Sequence, residues 1–347
     1  MRPGWQTKMM AGTAVLVLSA TACDNDTSGP AAPAGTENAI VVNSTELSIT
    51  VFPVDSPSSA RTIGLAPTGS PVSIAARQNL VVVPMGFLAT AVVVDLRTDD
   101  VSTVPLPDNS GATGVAFLDD SIVYVANPNL NTVSRINVSS GTHENEIEVG
   151  TFPQVVLAHD DHIWVMNAEL DMSYRPARPG AISVIDPAND SVVTDILLTG
   201  FNPSAAQVYN GLIYVVNSGT FGQGDGSLSV VNPSTLQEIE HHSGFGEFPG
   251  DMAIGPDALA YVSSFDYGLA VWDLVGDTFI SPPSDPLIVE GETISSGVGL
   301  DEASRLYTLI PGDCIAPSIL YRLDTDTTAI DTGACPIAIA FTRFEDQ

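Results

Sequence analysis

The stretch from Gly211 to Leu236, GLIYVVNSGTFGQGDGSLSVVNPSTL, constrains the fold of this chain more than any other feature, because its pattern recurs. An apolar strand, Leu212 to Val216, stops at Asn217. A Gly-rich loop follows, and a second strand, Ser227 to Val231, ends in the turn Asn232-Pro233-Ser234-Thr235. The same order returns in SIVYVANPNLNTVSRINVSSGT, in HIWVMN with GAISVIDPANDS, in ALAYVSSFDYGLAVWDLVGDT and in RLYTLIP with SILYRLDTDTT. Self-similarity at a fixed period marks a repeat architecture. Strands rich in Val, Ile, Thr and aromatics, punctuated by Gly, Pro, Asn and Asp turns and without a long helical period, make that architecture all-β.

Each repeat reads as four strands, with an inner strand entered through a corner. The corners are Ser70-Pro71, Gly111-Ala112, Phe152-Pro153, Asn202-Pro203, Phe248-Pro249, Glu292-Thr293 and Cys335-Pro336, spaced about 40 to 45 residues apart, as in propeller blades. The expected fold is a seven-bladed β-propeller of four-stranded antiparallel blades over residues 38–347. Only three strands, NAIVVNS, LSITVFPV and RTIGLA, precede the first corner, and only one, PIAIAFTRF, follows the last. The C-terminal strand is therefore expected to complete the first blade, closing the ring and removing an unpaired sheet edge.

At the N-terminus, Arg2 and Lys8 precede an apolar run, Met10 to Val17, too short to span a bilayer as a helix. It reads as a signal peptide covering residues 1–22. The run closes on Ala20-Thr21-Ala22-Cys23, small residues before a cysteine, which resembles the lipobox of bacterial lipoproteins. That resemblance implies cleavage before Cys23 and acylation of Cys23, although Ala20 stands where the family usually has Leu. Plain secretory cleavage near Ala22, with Cys23 incidental, is the alternative. Each buried methylene contributes about 0.8 kcal/mol, so several acyl chains hold a protein stably where one binds reversibly.

Residues 24–37, DNDTSGPAAPAGTE, can form no core and read as a flexible tether after Cys23. The expected location is extracytoplasmic, lipid-anchored to a bacterial membrane, in the periplasm or at the cell surface. Cys314 and Cys335 are then an even pair in an oxidising compartment, expected as a disulfide that locks the C-terminus to the body; two buried free thiols are the alternative.

The strand endings carry a second resemblance. Tyr124-Val125-Ala126-Asn127, Tyr214-Val215-Val216-Asn217, the variant Trp164-Val165-Met166-Asn167 and the weaker Val41-Val42-Asn43 resemble the YVTN-type seven-bladed propellers of bacterial and archaeal surface proteins. Tyr261-Val262-Ser263-Ser264 and Tyr307-Thr308-Leu309-Ile310 lose the Asn. The resemblance implies a fold rather than an activity, since propellers host binding modules, scaffolds, lactonases, lyases and quinoprotein dehydrogenases. The repeated Asn is expected to turn its amide onto the following loop backbone.

Chemistry is sought where the repeats break. The loop between second and third strands is short in most blades but swells into AELDMSYRPARP (Ala168 to Pro179) in blade four and SGTFGQGDG (Ser218 to Gly226) in blade five. These loops share the channel-mouth face with the blade-to-blade corners. The expected ligand or partner contacts are Tyr174, Arg175, Arg178, Phe221, Asp225, Asp251, Asp266 and Tyr267, with Asp251 facing the channel.

Arg175 and Arg178 are two of only 11 basic residues against 41 acidic ones. Two guanidiniums beside an aromatic can grip a carboxylate or an acidic surface by bidentate hydrogen bonds, or they can pair with nearby acids and staple the loop. Phe152, Phe201, Phe245 and Phe248 at the corners read as blade packing more than as a ligand cage.

A net charge of −30 repels phosphate backbones and argues against nucleic acid as a partner. No metal site is expected from local motifs. His159-Asp160-Asp161-His162 occupies a turn on the opposite face, His241 and His242 point to opposite sides of a strand, and the Asp-rich turns at Asp186 and Asp324 lack the Gly and Glu of an EF-hand.

No cofactor is expected, with a divalent cation the exception. The function expected is a non-catalytic binding or scaffolding module that holds a protein or small molecule at the propeller face, while the lipid anchor holds the membrane. The alternative is a lactonase-like or quinoprotein-dehydrogenase-like enzyme in which Asp225, Asp251 and Asp266 polarise a substrate or hold an ion. Catalytic residues are not identifiable.

Overall fold

The computed structural model describes residues 34–345. The residues expected to form a signal peptide, Cys23 and most of the expected tether lie outside the described residues. The remaining chain forms 28 strands, β1 to β28 in chain order, arranged as seven four-stranded antiparallel sheets. Blade one combines β1 (Thr36–Asn43), β2 (Ser48–Pro53) and β3 (Arg61–Gly64) with β28 (Pro336–Phe344), in the order β28-β1-β2-β3. Blades two to seven follow as residues 75–105, 115–148, 153–197, 203–243, 249–281 and 297–334. The count of blades and the closing role of the C-terminal strand are as the repeat arithmetic required.

The strands are apolar on both faces because each blade is sandwiched between two others. In β9 (Ile122–Asn127), Val123 and Val125 pack toward blade two, while Tyr124 and Ala126 pack toward blade four. In β1, Ile40 and Val42 face blade two, and Ala39 and Val41 face blade seven. This alternation is the period of two of an extended strand, with burial on each side. The result is one apolar cluster at each of the seven blade interfaces, including the one between last and first. Each fully buried Val, Leu or Ile contributes about 1.5–3 kcal/mol, so no blade is stable by itself.

The repeated Asn behaves differently from expectation. Asn43, Asn127, Asn167 and Asn217 are fully buried, and their amides cross to hydroxyls of the third strand instead of turning onto the loop. Asn217 Nδ2 donates to Ser229 Oγ at 2.9 Å and Ser227 Oγ at 3.2 Å. Asn43 Nδ2 donates to Ser48 Oγ and Thr50 Oγ1, both at 2.9 Å. The register explains the choice, because Asn217 pairs directly with Ser227 across β17 (Leu212–Asn217) and β18 (Ser227–Asn232). Three of these amides, of Asn43, Asn167 and Asn217, also need a close neighbour without a side chain: a Cβ at Gly200, in the corner leading from blade four, would collide with Asn217.

Four inner strands open on the proline expected: β12 (Pro153–His159), β16 (Pro203–Tyr209), β20 (Pro249–Ile254) and β28. The residue before each, Phe152, Asn202, Phe248 and Cys335, adopts a left-handed backbone with φ between 46° and 60°. In blades two, three and seven the inner strand begins a few residues after the corner, at Ala75, Val115 and Gly297.

Cys314 and Cys335 form a disulfide across 21 positions of sequence. It joins the mouth-face loop of blade seven to the residue that launches β28. Blade one grips both ends: Thr45 Oγ1 donates to the Cys314 carbonyl at 2.8 Å, and Ser44 N donates to the Cys335 carbonyl at 2.9 Å. Loop-closure entropy for a ring of this size predicts that Cys314→Ser/Cys335→Ser loses about 3 kcal/mol. Chemical denaturation of the variant and the parent checks this as a lowered midpoint with a somewhat steeper slope, because the unfolded chain freed of its cross-link exposes more surface.

Candidate functional site

The inner strands enclose a bore of about 600 Å³ whose lining comes from all seven blades. Its wall is made of small or neutral side chains, among them Ser73, Thr113, Gly114, Gln154, Ser204 and Ala338. Asp251 is the one titratable group among the described lining residues.

A repeated β-bulge puts it there. The register slips between Pro153 and Val155, between Pro203 and Ala205, and between Pro249 and Asp251. At the bulge successive residues line the bore in each blade: Gln154 with Val155, Ser204 with Ala205, and Gly250 with Asp251.

Asp251 also ties two blades together. Its Oδ1 accepts from Met252 N at 2.8 Å, and its Oδ2 accepts from Val298 N in blade seven at 3.2 Å. Part of its surface opens on the bore, and protein crowds the rest. Desolvation therefore outweighs the two hydrogen bonds and pushes its pKa up from 3.8 to about 6.

The loops expected to carry contacts lie around the mouth. Tyr174, in a left-handed backbone, stands exposed with its ring edge-on to Phe152 at 5.7 Å. Phe221 is exposed and leans on Phe248 at 5.2 Å. The two arginines divide. Arg178 pairs with buried Glu169, at 2.9 Å from Nε and 2.6 Å from a terminal nitrogen, and so staples its own loop. Arg175 is exposed and has no ion-pair partner among the described residues.

Of the other expected residues, Asp225 and Tyr267 bond within the scaffold. Asp225 Oδ1 accepts from Thr220 N at 2.5 Å, closing the blade-five loop on itself. Tyr267 is buried, and its hydroxyl donates to the Phe245 carbonyl at 2.8 Å; burial, and then the charge of Asp266, push that phenol up. Asp266 is exposed. Asp225 and Asp266 do not line the bore, so the three carboxylates expected to act together are not gathered around one point. Of the corner phenylalanines, Phe245 is fully buried against Trp272 and Phe279, as packing requires.

Several mouth residues were not singled out from the sequence. Met172 is fully exposed, and Phe87, Phe265 and Ile315 each keep more than half of their surface in solvent. Phe265 also lines the bore. All four sit in second-to-third-strand loops, where an apolar tip with no strand period around it is itself the signal.

Glu247 steadies the blade-five loop by accepting from Gly222 N at 2.7 Å and Gly224 N at 2.8 Å. The arrangement is thus an apolar rim with one free guanidinium, around a neutral bore with one carboxyl group in its wall.

No protein-family model matches this chain. No curated protein matches it either. Among solved structures 1402 chains match. One of them, from Kuenenia stuttgartiensis hydrazine synthase, is similar over 82% of this chain and 98% of its own, with a TM-score of 0.64 at 14% identity. Likeness at that identity shows the propeller fold alone.

Asp251 makes stability pH-dependent with a definite sign. Its folded pKa lies above its unfolded one, so its contribution is full below about pH 4 and is lost as pH rises through about 6. The loss amounts to roughly 1–3 kcal/mol. Asp251→Asn should therefore narrow the stability difference between pH 4 and pH 7, read from denaturant midpoints at each pH. An unchanged difference would show that the carboxyl titrates normally.

Proposed function

We propose that this chain is a membrane-anchored extracytoplasmic lipoprotein whose propeller binds a protein or small-molecule ligand at the channel mouth, without catalysis. The observation that carries the binding proposal is the asymmetry of exposed apolar surface. Phe87, Met172, Tyr174, Phe221, Phe265 and Ile315 stand in solvent on the mouth loops of five blades. On the opposite face, Leu236 and Val275 are the only large apolar side chains so exposed among the described residues of its turns. Clustered exposed apolar side chains mark interaction surfaces. Tyrosine and arginine are over-represented among residues that dominate binding, and Tyr174 and Arg175 adjoin on the blade-four loop.

The charged start, apolar run and small residues before Cys23 support the lipid anchor, and the tether supports a propeller held clear of the bilayer. The resemblance to YVTN-type surface propellers supports the same location. An acidic chain with a net charge of −30 makes nucleic acid a poor partner. One observation favours the enzymatic alternative: Asp251, with its raised pKa, lies in the bore wall, as a proton-transferring group would.

Capture of partners from native membranes, with the anchored protein as bait, tests binding at the mouth. Tyr174→Ala/Arg175→Ala/Phe221→Ala should reduce the captured species at least about tenfold, the effect of losing one or two dominant contacts of ~1–2 kcal/mol each. Replacing Leu236 and Val275 on the opposite face should leave capture intact. Capture that survives the triple change would rule the mouth out as the docking face.

A further inference from the structure

Two blade interfaces of this ring share a design but not a charge balance. Between blades three and four, Asp190 is held in a polar knot. Its carboxylate accepts from the Tyr124 hydroxyl at 2.9 Å, from Arg135 at 3.0 Å and from Asn145 Nδ2 at 3.1 Å. The guanidinium is the cation of this site, and it helps hold the Asp190 carboxyl below the usual carboxylate range against the cost of burial.

Strand register locates the same positions two blades on. Arg135 pairs with Tyr124 and with Asn145; Val230 pairs with Tyr214 and with Glu240. Asp190 and Asp277 each stand four residues after the Asp that opens their turn, Asp186 and Asp273, and both take a left-handed backbone. Further along the same outer strands, Val133 pairs with Ile147, whereas Leu228 pairs with His242.

Between blades five and six the built-in cation is thus replaced by valine, the neutral amide by a second carboxylate, and an apolar core residue by an imidazole. Glu240, His242 and Asp277 bring one donor atom each to within 4.8 Å of one another. His242 Nε2 lies 3.3 Å from Glu240 Oε2 and 3.8 Å from Asp277 Oδ1. Two ligands of one tetrahedral zinc ion stand about 3.4 Å apart, given metal–ligand bonds near 2.1 Å. The imidazole is fixed, because its ring packs on Trp272 at 5.0 Å and most of its surface is covered. The two carboxylates are more exposed and free to close on an ion.

We propose that Glu240, His242 and Asp277 form a binding site for a divalent transition-metal ion, zinc above all, which takes the place that the Arg135 guanidinium holds between blades three and four. One imidazole with two carboxylates suits such an ion better than calcium, which takes oxygen ligands. Three protein ligands leave a fourth position to water. The site lies at the outer strand of blade five and the turn of blade six, away from the bore, so it is independent of the binding face proposed above. Its role is to staple two blades, as the guanidinium does.

The test uses the intact protein stripped of metal by chelation, with zinc chloride as the probe. Calorimetric titration should show one zinc ion bound at this site, and the melting temperature should rise with zinc more than with calcium, since an ion held only by the folded state stabilises it. His242→Ala, and separately Glu240→Gln/Asp277→Asn, should each weaken zinc binding at least about tenfold, as losing even an outer-shell partner commonly does. Nickel should quench Trp272 fluorescence in the parent and not in His242→Ala. His159→Ala/His162→Ala should leave all three readouts as in the parent. The proposal is overturned if the parent binds no zinc, or if its zinc affinity and thermal shift persist in both site variants.

Discussion

The ladder between β1 and β28 is the interaction on which the rest of the molecule depends. It joins the first described strand to the last, in register from Thr36 opposite Phe344 to Val42 opposite Ala338. Without it, blade one would lack its inner strand, and the apolar clusters on either side of that blade would open together. The polypeptide secures this seam by several independent means. Arg343 donates to the Gly35 carbonyl and pairs with Glu302, Thr342 Oγ1 donates to the Gln78 carbonyl of blade two at 2.8 Å, and the disulfide anchors the launching residue. Every other ladder joins strands that are consecutive in sequence; this one alone pays the entropy of bringing distant segments together.

Once the circle is closed, uniform blades create the opportunities for difference. The scaffold is repetitive where strands meet, through buried Asn amides on Ser and Thr hydroxyls and through glycines that leave room for them. It is irregular where loops project. A rigid body of this kind can carry apolar tips such as Met172 and Phe221 on short stalks at small cost to the core, which is why binding is proposed there. The same repetition exposes charge changes at equivalent positions, as in the exchange of Arg135 for Val230 and Asn145 for Glu240.

Much of this was legible in the residues themselves. Strand period, corner spacing and the unequal number of strands at the two ends gave blade count and closure, because these depend on local pattern and arithmetic. The pairing of Cys314 with Cys335 followed from parity. What escaped depended on register between strands. Stapling of the loop by its arginines was one of the two readings; that Arg178 alone would do so, on Glu169, needed the fold of the loop. Asp251 was expected to face the channel, but its enclosure and raised pKa were not legible, and that the Asn amides would seek hydroxyls needed the cross-strand partner. The trio Glu240, His242 and Asp277 is invisible to any local motif, since its members come from two blades.

The direct measurement of the central claim is to remove the closing strand and then return it. A chain ending at Ala334 lacks β28, and it should lose its cooperative thermal transition and its near-ultraviolet circular dichroism. A synthetic peptide covering residues 335–347 should restore both by adding back as a strand beside β1. A truncated chain that melts in one sharp transition at the parent's temperature, indifferent to the peptide, would contradict the account.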